Sequence, residues 1–386
     1  MRDLPLEMHR THVVRALAAW SVVVLGGLGF APSAGDANAA HRLLPAPVTV
    51  TAGRATFRIA RDGDVRRVAA TPLPFPPDAA WFPATGSWYE IRHRHLVIGR
   101  WGTTLWHSRG EFPSRIDFNV VIVRGRTIAF AYAQRLYIAN LGGPERLVAG
   151  GEFPLGWTRG GFFAYRFHGR QLLLRDDAGA LVKTVARRPL EYAYDPTVQR
   201  LYFVAGGALM RAGGAATERV VALARLGLVA DSSLMMQSLD GGLLEFLQGR
   251  RLIVLRPDGS RFAETRVPPQ RSIDSPITIA PDGRTVAFST SYTLRGGIDR
   301  ETVYVLHAGA RTATPLHTER VQFAPCLGGA NVGWHARWLL FSAGEGSLTI
   351  IDTAGRRNVI DLSPATRKLT GIDSGFGAYW GTSPPL

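Results

Sequence analysis

The stretch ITIAPDGRTVAFST, residues 277–290, contains two runs of apolar and β-branched residues separated by Pro281, Asp282 and Gly283. Proline presets the backbone for a turn, aspartate accepts hydrogen bonds from amides two residues on, and glycine adopts a positive φ without strain. The pattern predicts strands at 277–280 and 284–290 joined by a tight turn. Asp282 is therefore interpreted as a turn former and not as a reactive carboxylate.

The same strand, turn, strand unit recurs along the chain, for example in RGRTIAFAYAQRLYIAN at 124–140 and GGLLEFLQGRRLIVLRPDG at 241–259. The predicted third strands of successive units are spaced 32 to 51 residues apart. Their central residues are Leu105, Tyr137, Leu173, Met210, Ile253, Tyr304 and Ile350. Four-stranded propeller blades repeat every ~40–45 residues. The sequence therefore predicts an all-β fold, a β-propeller of four-stranded antiparallel blades, and favours it over a β-sandwich.

The number of blades follows from these third strands. They indicate seven complete units and one divided unit, so we expect seven or eight blades, with six as the alternative if irregular loops hide the pattern. The segment TFRIARDGDVRRV at 56–68 has the form of the outer half of a blade. The tail LTGIDSGFGAYW at 369–380 would supply the inner strands of that blade. The N- and C-terminal strands would then close the ring and hide the sheet edges.

The segment 275–318 contains a strand, a Pro-Asp-Gly turn, a hydrophobic-Ala-Phe strand, a loop, a Val-Tyr-Val strand and a basic-polar turn before a leucine. This order of elements resembles the repeat of TolB-type propellers. The resemblance implies an extracytoplasmic propeller that docks protein partners in the cell envelope. TolB-type proteins also carry an α/β domain before the propeller, and we expect no counterpart of it here, since the predicted strands begin near Val48.

The first 39 residues have the layout of a secretory signal peptide. Arginines precede an apolar run at 16–31, and Ala37-Asn38-Ala39 follows as a small-residue cleavage site. An uncleaved membrane anchor is the alternative, but the run is short for a span of ~20 residues and contains glycines. We expect cleavage after Ala39, one propeller domain at 40–386 and no transmembrane segment in the mature chain. The expected location is extracytoplasmic, in the periplasm, in the cell wall or secreted.

The charge of the chain indicates the kind of partner. The net charge is +15, with 45 Lys and Arg against 30 Asp and Glu, but nearly all of the cations are dispersed arginines and they do not form a stripe. This dispersion argues against nucleic acid, and the expected export favours an envelope protein, a peptide or an anionic polymer as the partner. The single cysteine, Cys326, excludes an intramolecular disulfide. We expect a monomer.

Catalytic motifs are missing from the sequence. It contains no Gly-x-Ser-x-Gly elbow, no Walker loop, no Gly-x-Gly-x-x-Gly after a strand and no His-Glu-x-x-His. No catalytic residue and no cofactor is therefore assigned, and a non-catalytic binding scaffold is the expected function. The alternative is a propeller hydrolase or lyase with a metal-assisted site at the channel mouth, because propeller sites assemble from several blades without a local motif.

Two segments contain candidate site residues. In IRHRHLVIG at 91–99, His93 and His95 would share one face of a strand and could hold a divalent metal with ligands from other blades. The alternative is two ordinary strand histidines. In RWGTTLWH, residues 100–107, a binding lip is predicted because Trp and Arg dominate interface hot spots. Its residues are Arg100, Trp101, Trp106 and His107. The alternative for the two tryptophans is packing between blades.

Overall fold

The computed structural model describes residues 44–52, 55–62, 64–67, 80–82, 87–100, 103–111, 120–214, 216–239, 242–269, 271–273, 277–293, 298–322, 331–342, 347–353, 357–361 and 376–380. The predicted signal peptide, Trp101 and Cys326 lie outside these residues. Within the described part of the chain, no helix is both long and apolar enough to cross a bilayer.

The described residues form eight antiparallel sheets, numbered here in chain order. Sheet 1 contains β1 (Val48–Ala52), β2 (Ala55–Ile59), β3 (Val65–Arg67) and β33 (Phe376–Trp380). Sheet 2 contains β4 (Ala80–Phe82), β5 (Ser87–Arg92), β6 (His95–Arg100) and β7 (Thr103–His107). Sheet 3 contains β8 (Val120–Arg124), β9 (Thr127–Tyr132), β10 (Arg135–Asn140) and β11 (Glu145–Gly150).

The middle of the chain forms three further sheets of the same kind. Sheet 4 contains β12 (Glu152–Thr158), β13 (Gly161–Arg166), β14 (Gln171–Arg175) and β15 (Leu181–Arg187). Sheet 5 contains β16 (Tyr192–Asp195), β17 (Arg200–Ala205), β18 (Ala208–Gly213) and β19 (Ala216–Ala222), followed by a short 3-10 helix at Leu223–Leu226. Sheet 6 contains β20 (Leu234–Ser238), β21 (Leu244–Gln248), β22 (Arg251–Leu255) and β23 (Arg261–Arg266).

Two sheets complete the set. Sheet 7 contains β24 (Ser272–Ile273), β25 (Thr278–Ile279), β26 (Thr285–Thr293), β27 (Ile298–His307) and β28 (Thr314–Gln322), with β24 and β25 both paired to β26. Sheet 8 contains β29 (Asn331–His335), β30 (Trp338–Ser342), β31 (Ser347–Asp352) and β32 (Arg357–Asp361). The predicted β-propeller of four-stranded antiparallel blades is confirmed, and each sheet is one blade.

Central strands such as β26 have buried apolar residues at successive positions because neighbouring sheets pack on both of their faces. In β26, Val286 and Phe288 pack in the cluster between sheets 6 and 7. The alternate residue Ala287 packs with Val305 of β27 and Leu339 of β30 in the cluster between sheets 7 and 8. Alternating side chains point to opposite faces of a strand. A blade therefore needs apolar residues at odd and even positions, and the core is a series of layers between neighbouring blades.

The two ends of the chain share one sheet, as predicted. Strand β33 pairs with β1 from Val48↔Trp380 to Ala52↔Phe376, and it also contacts β29 and β30 of sheet 8. The number of strands that each end of the chain supplies differs from the prediction. The N-terminal segment supplies three strands of the blade, and the tail supplies one described strand instead of several inner strands. The extra N-terminal strand is β1, which lies before the segment that matched the repeat.

Six of the seven residues predicted to lie at the centre of a third strand do lie in the third strand of a blade. Residues from Tyr137 to Ile350 lie in β10, β14, β18, β22, β27 and β31, each the third strand of its blade. Leu105 is the exception, because it lies in β7, the fourth strand of sheet 2. The segment 91–99 forms two strands of this blade around a hairpin turn, which displaced the count by one strand.

The Pro-Asp-Gly turn has the predicted chemistry. The Asp282 carboxylate accepts hydrogen bonds from the amides of Arg284 at 2.7 Å and Thr285 at 3.1 Å. Gly283 has a φ of +63°, in the left-handed region that glycine tolerates best. Asp282 therefore holds a turn between β25 and β26.

Candidate functional site

The predicted histidine pair does not lie on one strand face. His93 is a turn residue between β5 and β6 with a φ of 48°, so the expectation that it shares a strand face with His95 is wrong. Only His95 begins a strand, and its Nδ1 lies 3.1 Å from the carbonyl oxygen of Ser108. Within the described ranges, no group of three or more His, Cys, Asp or Glu side chains is placed to hold a metal ion.

In the predicted binding lip, Trp106 is buried and His107 is exposed. Trp106 is 4% exposed, its Nε1 donates to the carbonyl oxygen of Gly143 at 2.9 Å, and its ring lies 5.8 Å from that of Phe130. Trp106 therefore packs between sheets 2 and 3, which was the alternative for this residue. His107 is exposed at the end of β7, and Arg100 is the last residue of β6.

Four aromatic side chains form a cluster at one edge of sheets 4 and 5. The aromatic cluster consists of Phe153 on β12, Tyr165 on β13, Phe167 in the following turn and Tyr192 on β16. Tyr165 stacks on Tyr192 with ring centroids 4.9 Å apart, and Phe153 lies 5.3 Å from Tyr165. Phe167 contacts Phe153 at 5.1 Å and Tyr165 at 5.7 Å. Four rings from three strands and a turn therefore form one continuous surface.

The strand pairing explains why these rings meet. Phe153 and Tyr165 are register partners on β12 and β13, so their side chains leave the same face of sheet 4. The amide of Phe167 donates to the carbonyl oxygen of Gly151 at 2.9 Å, which holds the turn against the start of β12. Tyr192 comes from β16, and β12 contacts β16 across the boundary between sheets 4 and 5. The cluster therefore rests on backbone that is already paired.

Phe167 is the exposed member of the aromatic cluster. Its side chain is 48% exposed, whereas the other three rings are partly buried. Burial raises the pKa of the Tyr192 phenol, with smaller contributions from Tyr165 and Glu191 in the same direction. Tyr192 therefore stays protonated and adds a neutral phenol to an apolar surface. Burying a fully exposed phenylalanine contributes roughly 1.5–3 kcal/mol, and a partner that covers the exposed half of Phe167 would recover about half of this.

Cationic side chains flank the aromatic cluster. Arg170 is exposed in the same turn as Phe167, and it opposes the rise in the pKa of Tyr192 by its positive charge. Its Nη2 donates to the carbonyl oxygen of Pro189 at 3.4 Å. Arg187 and Arg188 are also exposed, and the amide of Arg188 donates to the carbonyl oxygen of Arg170 at 2.6 Å. The surface combines exposed aromatic carbon with positive charge.

This arrangement suits recognition of a chain segment that carries apolar and acidic side chains. Aromatic rings supply contact area at low entropic cost, and arginines bind carboxylates with directed hydrogen bonds. None of these residues is among the site residues predicted from the sequence. The stretch FFAYRFHGR at 162–170 contains the one sequence pattern that indicates this surface, because Tyr165 and Phe167 stand two residues apart and an arginine follows. The contribution of Tyr192, 25 positions further on, depends on the packing of two blades.

No protein-family model matches the chain, and no curated protein matches it. Solved structures are similar in fold. Apo AztD from Citrobacter koseri aligns over 88% of this chain and 99% of its own, with 12% identity and a TM-score of 0.52. The WD40 domain of SCAP from fission yeast aligns over 75% of this chain and 84% of its own, with 10% identity and a TM-score of 0.43. At 12% identity, the likeness to AztD concerns the fold alone.

Proposed function

We propose that this protein is an exported, non-catalytic propeller that binds a protein or peptide segment of the cell envelope through the aromatic cluster and its arginines. The observation that carries the proposal is Phe167, which is half exposed yet held in contact with two further rings beside Arg170. A scaffold with rigid strands and an exposed aromatic anchor is typical of a binding surface. The partner segment would carry apolar side chains next to acidic ones.

The sequence supports an extracytoplasmic location for this binding function. The residues before Ala40 have the three parts of a signal peptide, and the resemblance to TolB-type propellers at 275–318 favours an envelope protein as the partner. N-terminal sequencing of the protein recovered from the envelope fraction tests export, with Ala40 as the expected first residue. A first residue at Met1 would contradict cleavage.

The binding surface is tested by affinity capture from the envelope fraction with the mature chain as bait. We expect Phe167→Ala and Arg170→Gln each to weaken binding of a specific partner about five- to thirtyfold and to reduce its recovery, because each removes an anchor worth roughly 1–2 kcal/mol. Leu147→Ala and Arg135→Gln are matched controls, since Leu147 is 51% exposed on β11 and Arg135 is exposed at the start of β10. Equal recovery with the cluster and control variants would refute this surface.

A further inference from the structure

A cleft opens between sheets 7 and 8, at the end of the blades that carries the Pro-Asp-Gly turn. It has a volume of about 670 Å³, within the range of small-molecule sites. Its floor and walls include Ala280 and Pro281 of sheet 7 and Trp334 of sheet 8. The Trp334 indole packs in the cluster between the two sheets, and its Nε1 lies 3.4 Å from the carbonyl oxygen of Thr278. The cleft is therefore bounded by a fixed aromatic side chain.

Two arginines enter this cleft from equivalent turns of successive blades. Arg284 follows the turn between β25 and β26, and Arg337 lies in the turn between β29 and β30. Both side chains are exposed, and within the described part of the chain neither guanidinium has a hydrogen bond or an ion pair. Arg126 occupies the matching turn of sheet 3, but its Nη2 donates to the carbonyl oxygen of Leu141 at 3.2 Å. The two cleft arginines are therefore available to a ligand.

The carboxylate in the cleft wall is already used by its own turn. Asp282 Oδ1 accepts from two backbone amides, and Oδ2 lies 3.2 Å from the Thr285 hydroxyl. The same hydroxyl lies 3.0 Å from His307 Nδ1, so the chain from Asp282 through Thr285 holds the imidazole in place at the cleft. Thr285 is buried, which fixes this chain of hydrogen bonds. The cleft thus contains two guanidinium groups and an imidazole, whereas the carboxylate of Asp282 is already hydrogen-bonded within its own turn.

We propose that this cleft is a second binding site, specific for an oxyanion, phosphate or carboxylate, attached to a flat apolar group. The two guanidinium groups supply planar paired donors that match the geometry of an oxyanion. Trp334, together with the alanine and proline side chains, supplies the apolar wall for the attached group. The site is separate from the aromatic cluster, and its ligand is a small molecule or a chain terminus.

Isothermal titration calorimetry of the mature chain with phenyl phosphate and with benzoate tests the site. We expect saturable binding of at least one of these anions and none of benzyl alcohol, which has the ring without the charge. Binding of phenyl phosphate alone assigns a phosphate ligand, and binding of benzoate alone assigns a carboxylate ligand. The absence of binding by both anions, or equal binding of benzyl alcohol, would overturn the proposal.

Matched variants locate the binding in the cleft. We expect Arg284→Gln and Arg337→Gln each to raise the Kd of the anion about tenfold, the loss expected for one charge-assisted contact, and Arg126→Gln to leave it unchanged. The melting temperatures should equal that of the parent protein because neither cleft guanidinium is bonded in the described structure. An equal effect of Arg126→Gln would show a general charge effect and refute the site. Partner capture should persist in the Arg284→Gln variant, which separates this proposal from the proposed function.

Discussion

At the scale of single residues, Glu152 is a fully buried charge that is paired with two arginines. It is 0% exposed at the start of β12. Arg175 donates from Nε to Oε2 at 2.8 Å and from Nη2 to Oε1 at 2.8 Å, and Arg166 donates from Nε to Oε1 at 2.9 Å. A buried carboxylate needs such paired donors, because desolvation without them costs several kcal/mol. The ion pairs of Glu152 with Arg166 and Arg175 therefore connect three strands of sheet 4.

We expect Glu152→Ala to lower the free energy of unfolding by about 3–5 kcal/mol, because it leaves Arg175 buried without its counter-charge. Chemical denaturation followed by circular dichroism measures the change. Glu218→Ala is the control, since Glu218 pairs with Arg211 but its side chain is 57% exposed, and we expect a loss below about 1 kcal/mol. Equal losses for the two variants would contradict the role of burial.

At the scale of elements, the hairpin turns differ in how well their residues suit the backbone. The turn between β9 and β10 places Ala133 at φ 47° and Gln134 at φ 58°. The turn between β17 and β18 places Gly206 and Gly207 at φ 56° and 70°. Two-residue hairpins favour Asn-Gly or Gly-Gly because both residues need a positive φ, which costs other residues roughly 1–2 kcal/mol each. The β9–β10 turn is therefore strained.

We expect the double change Ala133→Asn and Gln134→Gly to raise the free energy of unfolding by about 1 kcal/mol. Gly207→Ala should lower it by about 1 kcal/mol for conformational reasons alone, since an added Cβ at this position would meet no atom within 4 Å. Thermal and urea unfolding measure both changes. A destabilising effect of the Asn-Gly turn would show that Ala133 or Gln134 makes a contact more valuable than the relief of strain.

The turn at His93 shows what element-level prediction missed. The alternation of His93 and His95 is typical of a strand, but the chain reverses there so that Arg92 pairs with His95. Hairpin turns are dominated by Gly, Asn, Asp, Ser and Pro, and the dipeptide His-Arg contains none of them. Asp282, by contrast, stands in a turn that its own side chain stabilises. The turn at Asp282 could therefore be predicted from the sequence, and the turn at His93 could not.

At the scale of the whole molecule, the two chain ends depend on each other through the pairing of β33 with β1. A stop codon at position 376 removes β33 and leaves an edge of β1 unpaired, and unpaired edges recruit other chains. We expect this truncation to aggregate or to unfold with reduced cooperativity. A stop codon at 381 retains β33 and is the control. Size-exclusion chromatography and thermal unfolding compare them, and parent-like behaviour of the shorter chain would refute the role of β33.

Buried tyrosines make the whole fold sensitive to high pH. Burial raises the pKa of Tyr89 to about 12, and burial also raises the pKa of Tyr192, Tyr194 and Tyr202. Tyrosines in the unfolded chain ionise near pH ~10. The native state therefore binds more protons above that pH, and stability falls as the pH rises from about 10 through the native pKa.

We expect the free energy of unfolding to decrease between pH 10 and 12, by roughly 2 kcal/mol for Tyr89 alone. Urea titrations across this range measure the decrease, and absorbance at 295 nm detects the phenolates that appear on unfolding. Tyr89→Phe should flatten the dependence and change stability little at pH 8. An unchanged slope in this variant would contradict the assignment to Tyr89.

The sequence by itself determined the repeat, its period, the pairing of the chain ends and the chemistry of the Pro-Asp-Gly turn. These features depend on local turn chemistry and on residues a fixed distance apart, and both can be read along the chain. Only the tertiary structure decided which aromatics are exposed. Trp106 is buried between sheets 2 and 3, whereas Phe167 is half exposed in a cluster completed by Tyr192 of the next blade. Exposure depends on how neighbouring blades pack. The residues that cover a side chain belong to another blade, so the sequence of its own strand does not reveal whether it is exposed.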